Sequence, residues 1–345
     1  MPTIRIGELK LARTVAIDLG TSRTRLADAN GSLLAEIETV AAVDSSTSKV
    51  AAVGENAIKL AAERPGRFIL ASPIGRSKVK NIGLLNSYLS VLAKSTDLKS
   101  FSRSKVALAM AADSKTMDVK AVQACMSDLG VKELVLVETT LAGAIGAGLD
   151  PVSPEGVMIA NLSASRAEAG ILALGESVSW AVCDRGGADC NGNIYRFLEE
   201  HHGVIVSRDV TEELKIGLLK QGRRAPRIQV SVWGRSAKTG DPSQVVVMGS
   251  DLLDLIDPVL RDMVGACIAA LARCPAELVS DLYESGITLI GGVSLTEGLV
   301  QVVEASTGLK VRLSDTPQAA VVQGLCSVLS DGRRSAVHQM AGIRV

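Results

Sequence analysis

Two stretches far apart in this chain follow one plan. TVAIDLG (Thr14 to Gly20) is an apolar run that ends on an acid and a small-residue turn, then returns through TRLADAN. GVMIANLSASRAEAGILALG (Gly156 to Gly175) repeats it: an apolar run, Asn161, a turn at Ser163 to Ser165, and a returning run. Each reads as strand, turn, strand, and α/β segments lie between them. A chain that starts the same α/β programme twice is expected to form two similar halves with a cleft between them.

The rest of the pattern is consistent with that expectation. Asn30-Gly31 marks a hairpin turn between TRLADA and SLLAE. KVAAVGENAIKLAAERPG reads as a strand and a helix closed by Pro65-Gly66, and SKVALAMAA and KELVLVE as buried strands. The helix in DSKTMDVKAVQACMSDLG is expected to be capped by Asp113 or Ser114 and to end at Gly130. TTLAGAIGAGL and VTEELKIGLLKQ read as helices, RIQVSVWGRSAKTGDPSQVVVMG as a hairpin, and Asp251 to Arg273 as a long helix stopped by Pro275. GITLIGG is a buried strand with a double glycine, followed by two further helices and a polar, basic tail from Asp331.

Composition excludes several jobs. Lys plus Arg equals Asp plus Glu at 37 each, so bulk charge gives no reason to expect nucleic-acid binding. Aromatic residues are 2% of the chain, too few for base stacking, so the core is built from aliphatic side chains. Cys125, Cys183, Cys190, Cys267, Cys274 and Cys326 form no C-x-x-C pair and no zinc spacing, and read as small buried hydrophobes in a reducing compartment. No run has signal-peptide or membrane-span character, which places the chain in the cytoplasm.

The hairpin turns carry the chemistry. Successive backbone N–H groups at a tight small-residue turn form a nest for phosphate oxygens. In Asp18-Leu19-Gly20-Thr21 the acid is placed to hold a divalent cation through water. Gly20 lets the backbone come close, and Thr21 adds a hydroxyl. Alone, this signal does not separate a phosphate loop from a simple hairpin turn.

Five segments together resemble the MreB/Mbl family of bacterial actins, within the superfamily that also holds actin, sugar kinases and DnaK-type chaperones. AIDLGTSRTRLAD is similar to the first phosphate loop, D-L-G-T-A-N-T in the family, and LVLVETTLAGAIGAGLDP to its strand and connecting helix. GVMIANLSASRAEAGILALG stands where the family has its second loop, D-I-G-G-G-T-T-E. VTEELKIGLL resembles the helix beside the adenosine, and GITLIGGVSLTEGLVQVVEASTG with the helix beyond it the last nucleotide motif.

The resemblance implies an α/β, actin-like ATPase fold: two lobes, each with an RNase H-like core, and a nucleotide cleft between them. Lobe I would span 1–150 with a smaller subdomain inserted at about 38–72, and lobe II 151–315 with one at about 187–254. Residues 316–345 would supply a helix returning to lobe I and a basic tail. Nucleotide contacts are implied for Asp18, Gly20, Thr21, Ser22, Arg23, Ser163, Ala164, Ser165, Glu212, Lys215, Gly291, Gly292, Val293 and Ser294, with ATP or ADP and magnesium as cofactors.

Departures fall where hydrolysis is performed. The family's water-orienting Glu falls on Thr139, beside a surviving acid, Glu138; its second metal-shell acid falls on Asn161. The three glycines of the second loop are Ser163, Ala164 and Ser165, the next two Thr are Arg166 and Ala167, and the last motif's third glycine is Val293. β-Carbons at 163–165 oppose positive φ and close backbone approach. Slow or absent turnover is expected, which puts magnesium in doubt with it. Arg23 and Arg166 carry three open readings: they bind phosphate in place of the cation, they pair with Asp18 and hold the lobes closed, or they turn to solvent.

The family's role implies a cytoskeletal scaffold in cell shape or wall growth, self-associating or co-polymerising with an active MreB-type paralogue. The alternatives are an active ATPase with unusual loops and a monomeric regulatory adaptor. Leu98 and Phe101, in a lysine-bearing loop, are candidates for contact with the inner membrane surface, against a buried reading. Arg223, Arg224 and Arg227 read as a solvated loop.

Overall fold

The computed structural model describes residues 13–330. The apolar positions Ile4, Ile6, Leu9 and Leu11 and the basic tail lie outside them. Two compact units emerge: residues 13–110, 114–138 and 325–330 form the first, and Ala111–Asp113 with Thr139–Gly324 the second.

In the first unit, strands β1 (Thr14–Leu19), β2 (Arg23–Asp28) and β3 (Leu33–Glu38) form an antiparallel meander. The Asn30-Gly31 turn closes it as expected, with Gly31 at φ 83° and Asp28 Oδ1 accepting from the N–H groups of Asn30 and Ser32. A separate small sheet follows from β4 (Ala41–Asp44), β5 (Val50–Val53) and β6 (Phe68–Ala71), with helix α1 (Glu55–Glu63). A short hairpin, β7 (Ile74–Gly75) and β8 (Lys78–Val79), leads to α2 (Ile82–Lys94), β9 (Lys105–Met110), α3 (Thr116–Asp128) and β10 (Glu133–Glu138). The main sheet runs β10-β9-β1-β2-β3, with β10, β9 and β1 parallel. Val15, Ile17, Leu26, Leu89, Leu108 and Met126 are core residues, and Tyr88 is buried with them, its hydroxyl donating to the Glu38 carbonyl.

Two expectations are corrected in this unit. Neither Asp113 nor Ser114 caps α3: the cap residue is Lys115, whose N–H is taken by the Asp118 carboxylate at 2.9 Å. Leu98 and Phe101 are 4% and 1% exposed and belong to the core, so neither is available to a membrane. The loop that carries them folds inward, Thr96 Oγ1 donating to the Ala93 carbonyl and Ser104 Oγ to that of Phe101.

The second unit repeats the plan. After α4 (Thr139–Gly146) come β11 (Val157–Leu162), β12 (Ala167–Ala173) and β13 (Glu176–Cys183), again an antiparallel meander. Then follow α5 (Gly187–His202), β14 (Val204–Ile205), α6 (Arg208–Leu219) and a 3-10 turn at Gly222–Arg227 that leaves Arg223, Arg224 and Arg227 exposed. β15 (Gln229–Ser236) and β16 (Pro242–Met248) join β14 in a small sheet. The chain continues through α7 (Gly249–Leu271), α8 (Val279–Ser285), β17 (Ile287–Ile290), α9 (Leu299–Thr307), β18 (Val311–Leu313) and α10 (Ala320–Ser330). The main sheet runs β13-β12-β11-β17-β18, with β11, β17 and β18 parallel. That is the order and sense of the first sheet, and it is the structural form of the repeated sequence plan.

Helices α4 and α10 cross at glycines. A Cβ on Gly146 would lie 1.8 Å from the Ala320 carbonyl oxygen, and one on Gly324 1.7 Å from that of Ala142. The two tryptophans, Trp180 on β13 and Trp233 on β15, both belong to this unit and are 39% and 63% exposed. All six cysteines are free; four are buried and Cys183 and Cys274 half-buried. Burial pushes the thiols of Cys125 and Cys267 up to about 12, which makes them inert packing groups.

Candidate functional site

The turn between β1 and β2 is tight because Gly20 is there. Its N–H donates to the Arg23 carbonyl at 3.1 Å, and a Cβ on it would lie 2.7 Å from that oxygen. Thr39 braces the turn, its hydroxyl donating to the Gly20 carbonyl at 2.7 Å and its N–H to that of Ser22 at 2.9 Å. Thr21 Oγ1 accepts from the Ser77 N–H at 3.1 Å.

The charges beside this turn form a ladder set by strand register. Asp18 lies opposite Arg25, Arg25 opposite Glu36, and Arg23 opposite Glu38. Arg25 Nη1 is 3.7 Å from Asp18 Oδ2 and its Nη2 is 2.8 Å from Glu36 Oε1. Arg23, half exposed, sits 3.7 Å from Glu36 and 3.5 Å from Glu38. The arginine that faces Asp18 is therefore Arg25, not Arg23.

Burial pushes the Asp18 carboxyl up to about 6, against the pull of Arg25. Between 3.8, its ordinary value, and about 6, the folded chain binds the proton more tightly than the unfolded chain. Rising pH through that window therefore costs stability, about 3 kcal/mol at most. Asp18→Asn, which mimics the neutral acid, is expected to raise the unfolding free energy by up to that amount at about pH 7.5 and to leave it unchanged near pH 4. Urea titrations followed by circular dichroism at the two pH values check this.

In the second unit, the turn of Ser163, Ala164 and Ser165 closes without positive φ at any of the three. Ser163 donates twice to the Arg166 carbonyl, from its N–H at 3.0 Å and its hydroxyl at 2.9 Å. The turn is also clamped to the start of α5: the N–H groups of Gly187 and Ala188 donate to the carbonyls of Ser163 at 3.2 Å and Ala164 at 2.7 Å. A Cβ on Gly186 would lie 2.6 Å from both carbonyl oxygens. Two donors at a helix N-terminus, the groups suited to hold a phosphate, are thus taken by the loop itself.

Arg166 is 1% exposed. Its guanidinium lies 2.9 Å from Asp113, 3.2 Å from Asp184 and 3.5 Å from Glu168, all acids of its own unit. Burial alone would lower its pKa, but the Asp113 hydrogen bond and the three negative charges hold it above the ordinary value. The solvent reading of Arg166 is overturned, and Asp113, expected as a helix cap, is its nearest partner.

A polar cluster lies beyond the clamp. Lys215, buried on α6, donates to Glu212 at 2.8 Å and to the Gly187 carbonyl at 3.2 Å. Asn191 Nδ2, on α5, donates to the same Glu212 oxygen at 2.5 Å, while the buried Asn191 Oδ1 has no partner among the described residues. Burial pushes Glu212 up, but the bonds from Asn191 and Lys215 outweigh it and hold its carboxyl below the ordinary value. A Cβ on Gly187 would lie 2.9 Å from Val293 Cγ2 and 3.2 Å from Lys215 Nζ, so Val293 closes on this group.

Gly291 has φ 88°, and a Cβ there would lie 2.4 Å from the Leu162 carbonyl and 2.5 Å from Asn161 Oδ1. Ser294 Oγ donates to the Gly291 carbonyl at 2.5 Å, and Gly292 follows with room around it. The second unit thus brings together Gly187, Asn191, Glu212, Lys215 and Val293 in one cluster, and Asn161, Gly291 and Ser294 at the turn that carries Val293. Glu138 ends β10 and Thr139 opens α4. Sequence reasoning missed Arg25, Asn191, Asp184 and the clamp at Gly186. Hairpin register was the available signal for Arg25; the others depend on contacts distant in sequence.

Two units with the same five-strand order and an inserted small sheet each define an actin-like fold. The chain belongs to the MreB/Mbl family, whose pattern matches residues 12–336. It is 24% identical to the cell shape-determining protein Mbl of Bacillus cereus over 316 residues, covering 91% of this chain and 94% of the relative. Against the cell shape-determining protein MreB of Escherichia coli K12 it is 26% identical over 318 residues, with 90% and 91% covered. The crystal structure of MreB5 of Spiroplasma citri bound to AMPPNP superposes with a TM-score of 0.83 at 15% identity, covering 97% of this chain and all of that one. Its ADP-bound form gives 0.84 at 16% identity, covering 96% and 99%. No helix among the described residues is long and apolar enough to cross a membrane.

Proposed function

We propose that this chain is an actin-like scaffold subunit in cell-shape control, which binds nucleotide and does not hydrolyse it efficiently. The scaffold role follows from family membership: the relatives named above are cell shape-determining proteins. Nucleotide binding is supported by the polar cluster of the second unit, where the orphaned Asn191 Oδ1 is an acceptor for a donor such as an adenosine amino or hydroxyl group. It is supported also by the AMPPNP and ADP held by the MreB5 structures.

One observation carries the loss of hydrolysis. The second loop spends the α5 donors on its own carbonyls and binds Arg166 to acids, so phosphate meets a surface whose hydrogen bonds are already made. Thr139 and Asn161 in place of acids act in the same direction, each such loss costing about 100-fold or more in rate. Self-association, co-assembly with an active paralogue, and action in the cytoplasm at the inner membrane face complete the reading.

Sedimentation at high protein concentration, run beside a phosphate-release assay with ATP and magnesium, tests it. The expected result is pelleting with phosphate release at least about 100-fold below an active family member. Rapid magnesium-dependent release makes the chain an ATPase and overturns the proposal. A chain that stays in the supernatant with and without an active MreB-type protein is a monomeric adaptor.

A further inference from the structure

We infer that Asp18 does not anchor a hydrated divalent cation in this protein, because Arg25 already supplies the positive charge at that place. The inference rests on the nucleotide reading only for its ligand arm. In the family the acid ending β1 holds magnesium through water, and the residues here do not fit that ion. Asp18 Oδ2 faces Arg25 Nη1 at 3.7 Å, and the guanidinium is fixed there by Glu36 at 2.8 Å on the neighbouring strand. Both arginine contacts are cross-strand pairs of one β-meander, so the geometry is set by backbone register and not by a mobile side chain.

A divalent cation bound through water to Asp18 would stand a few ångströms from a permanent positive charge that is nearly buried, where repulsion is weakly screened. Among the described residues, no three of His, Cys, Asp and Glu converge as a metal-ligand set. Any nucleotide held by this chain is therefore held without a metal anchored on Asp18.

Two measurements on the full chain test the inference: thermal melting with ADP in EDTA against ADP in magnesium, and Mn2+ binding followed by electron paramagnetic resonance without nucleotide. The expected results are the same ADP-induced rise in both buffers and no loss of the free Mn2+ signal. Arg25→Gln, which frees Asp18, is expected to gain Mn2+ binding and a magnesium-dependent ADP rise. A wild-type rise that appears only with magnesium overturns the inference, as does Mn2+ bound by the wild type and lost in Asp18→Asn. If ADP raises the melting temperature in neither buffer, the nucleotide reading fails, and the Mn2+ arm alone decides between a free Asp18 and one held by Arg25. The wild-type arms keep this decisive even if the Arg25 variant does not fold.

Discussion

Arg166→Met is expected to lower the unfolding free energy by about 3–5 kcal/mol at neutral pH. The guanidinium is almost fully buried and faces three carboxylates, of which Glu168 is as buried as the arginine itself. Methionine keeps an unbranched apolar stem but removes the guanidinium and leaves the acids facing one another, a desolvation cost with the compensating charge removed. Two companions separate this mechanism from simple cavity formation. Asp184→Asn removes the half-exposed partner at 3.2 Å and is expected to cost less than about 1 kcal/mol. Arg166→Met with Glu168→Gln is expected to recover part of the loss, because the pair shares one network. Urea denaturation of the three variants measures all of this; an Arg166→Met variant within about 1 kcal/mol of wild type shows the cluster to be dispensable.

Gly324→Ala is expected to destabilise the protein by about 3 kcal/mol or more. Its new methyl group would fall 1.7 Å from the Ala142 carbonyl oxygen, and the partner position Gly146 meets Ala320 in the same way. Both obstacles are backbone atoms, so no rotamer change relieves them and the two helices must move apart. Gly217→Ala on α6 is the matched control. It lies in a helix with no atom within 4 Å of the added carbon, so the usual gain of alanine over glycine, about 0.5–1 kcal/mol, is expected there. Opposite signs for the same substitution in two helices identify backbone approach as the cause. A Gly324→Ala variant as stable as wild type places the crossing incorrectly.

What was legible in the sequence follows from how far each signal reaches. The hairpins at Asp18 and Asn161 are written in consecutive residues, alternating apolar positions and small turn residues, and the repeated sheet order follows from them. The family resemblance added Glu212, Lys215, Gly291 and Ser294, and the second unit brings Glu212 with Lys215 and Gly291 with Ser294 through bonds the sequence does not display. Arg25 was passed over in favour of Arg23, which stands in the motif, although two strands joined at Gly20 put Arg25 opposite Asp18. The clamp of the second loop was beyond reach, since Gly186 and Ser163 meet only once α5 has docked. Leu98 and Phe101 deceived for a related reason: apolar residues among lysines look amphipathic until the loop folds under and buries them.

The placement of both indole side chains in the second unit makes the chain its own reporter of one half. Excitation selective for tryptophan follows the melting of that half alone, and so registers Arg166→Met and Gly324→Ala directly. Far-ultraviolet dichroism instead sums the secondary structure of both units. The difference between emission and dichroism recorded on one sample therefore isolates the collapse of the first unit, with no label attached.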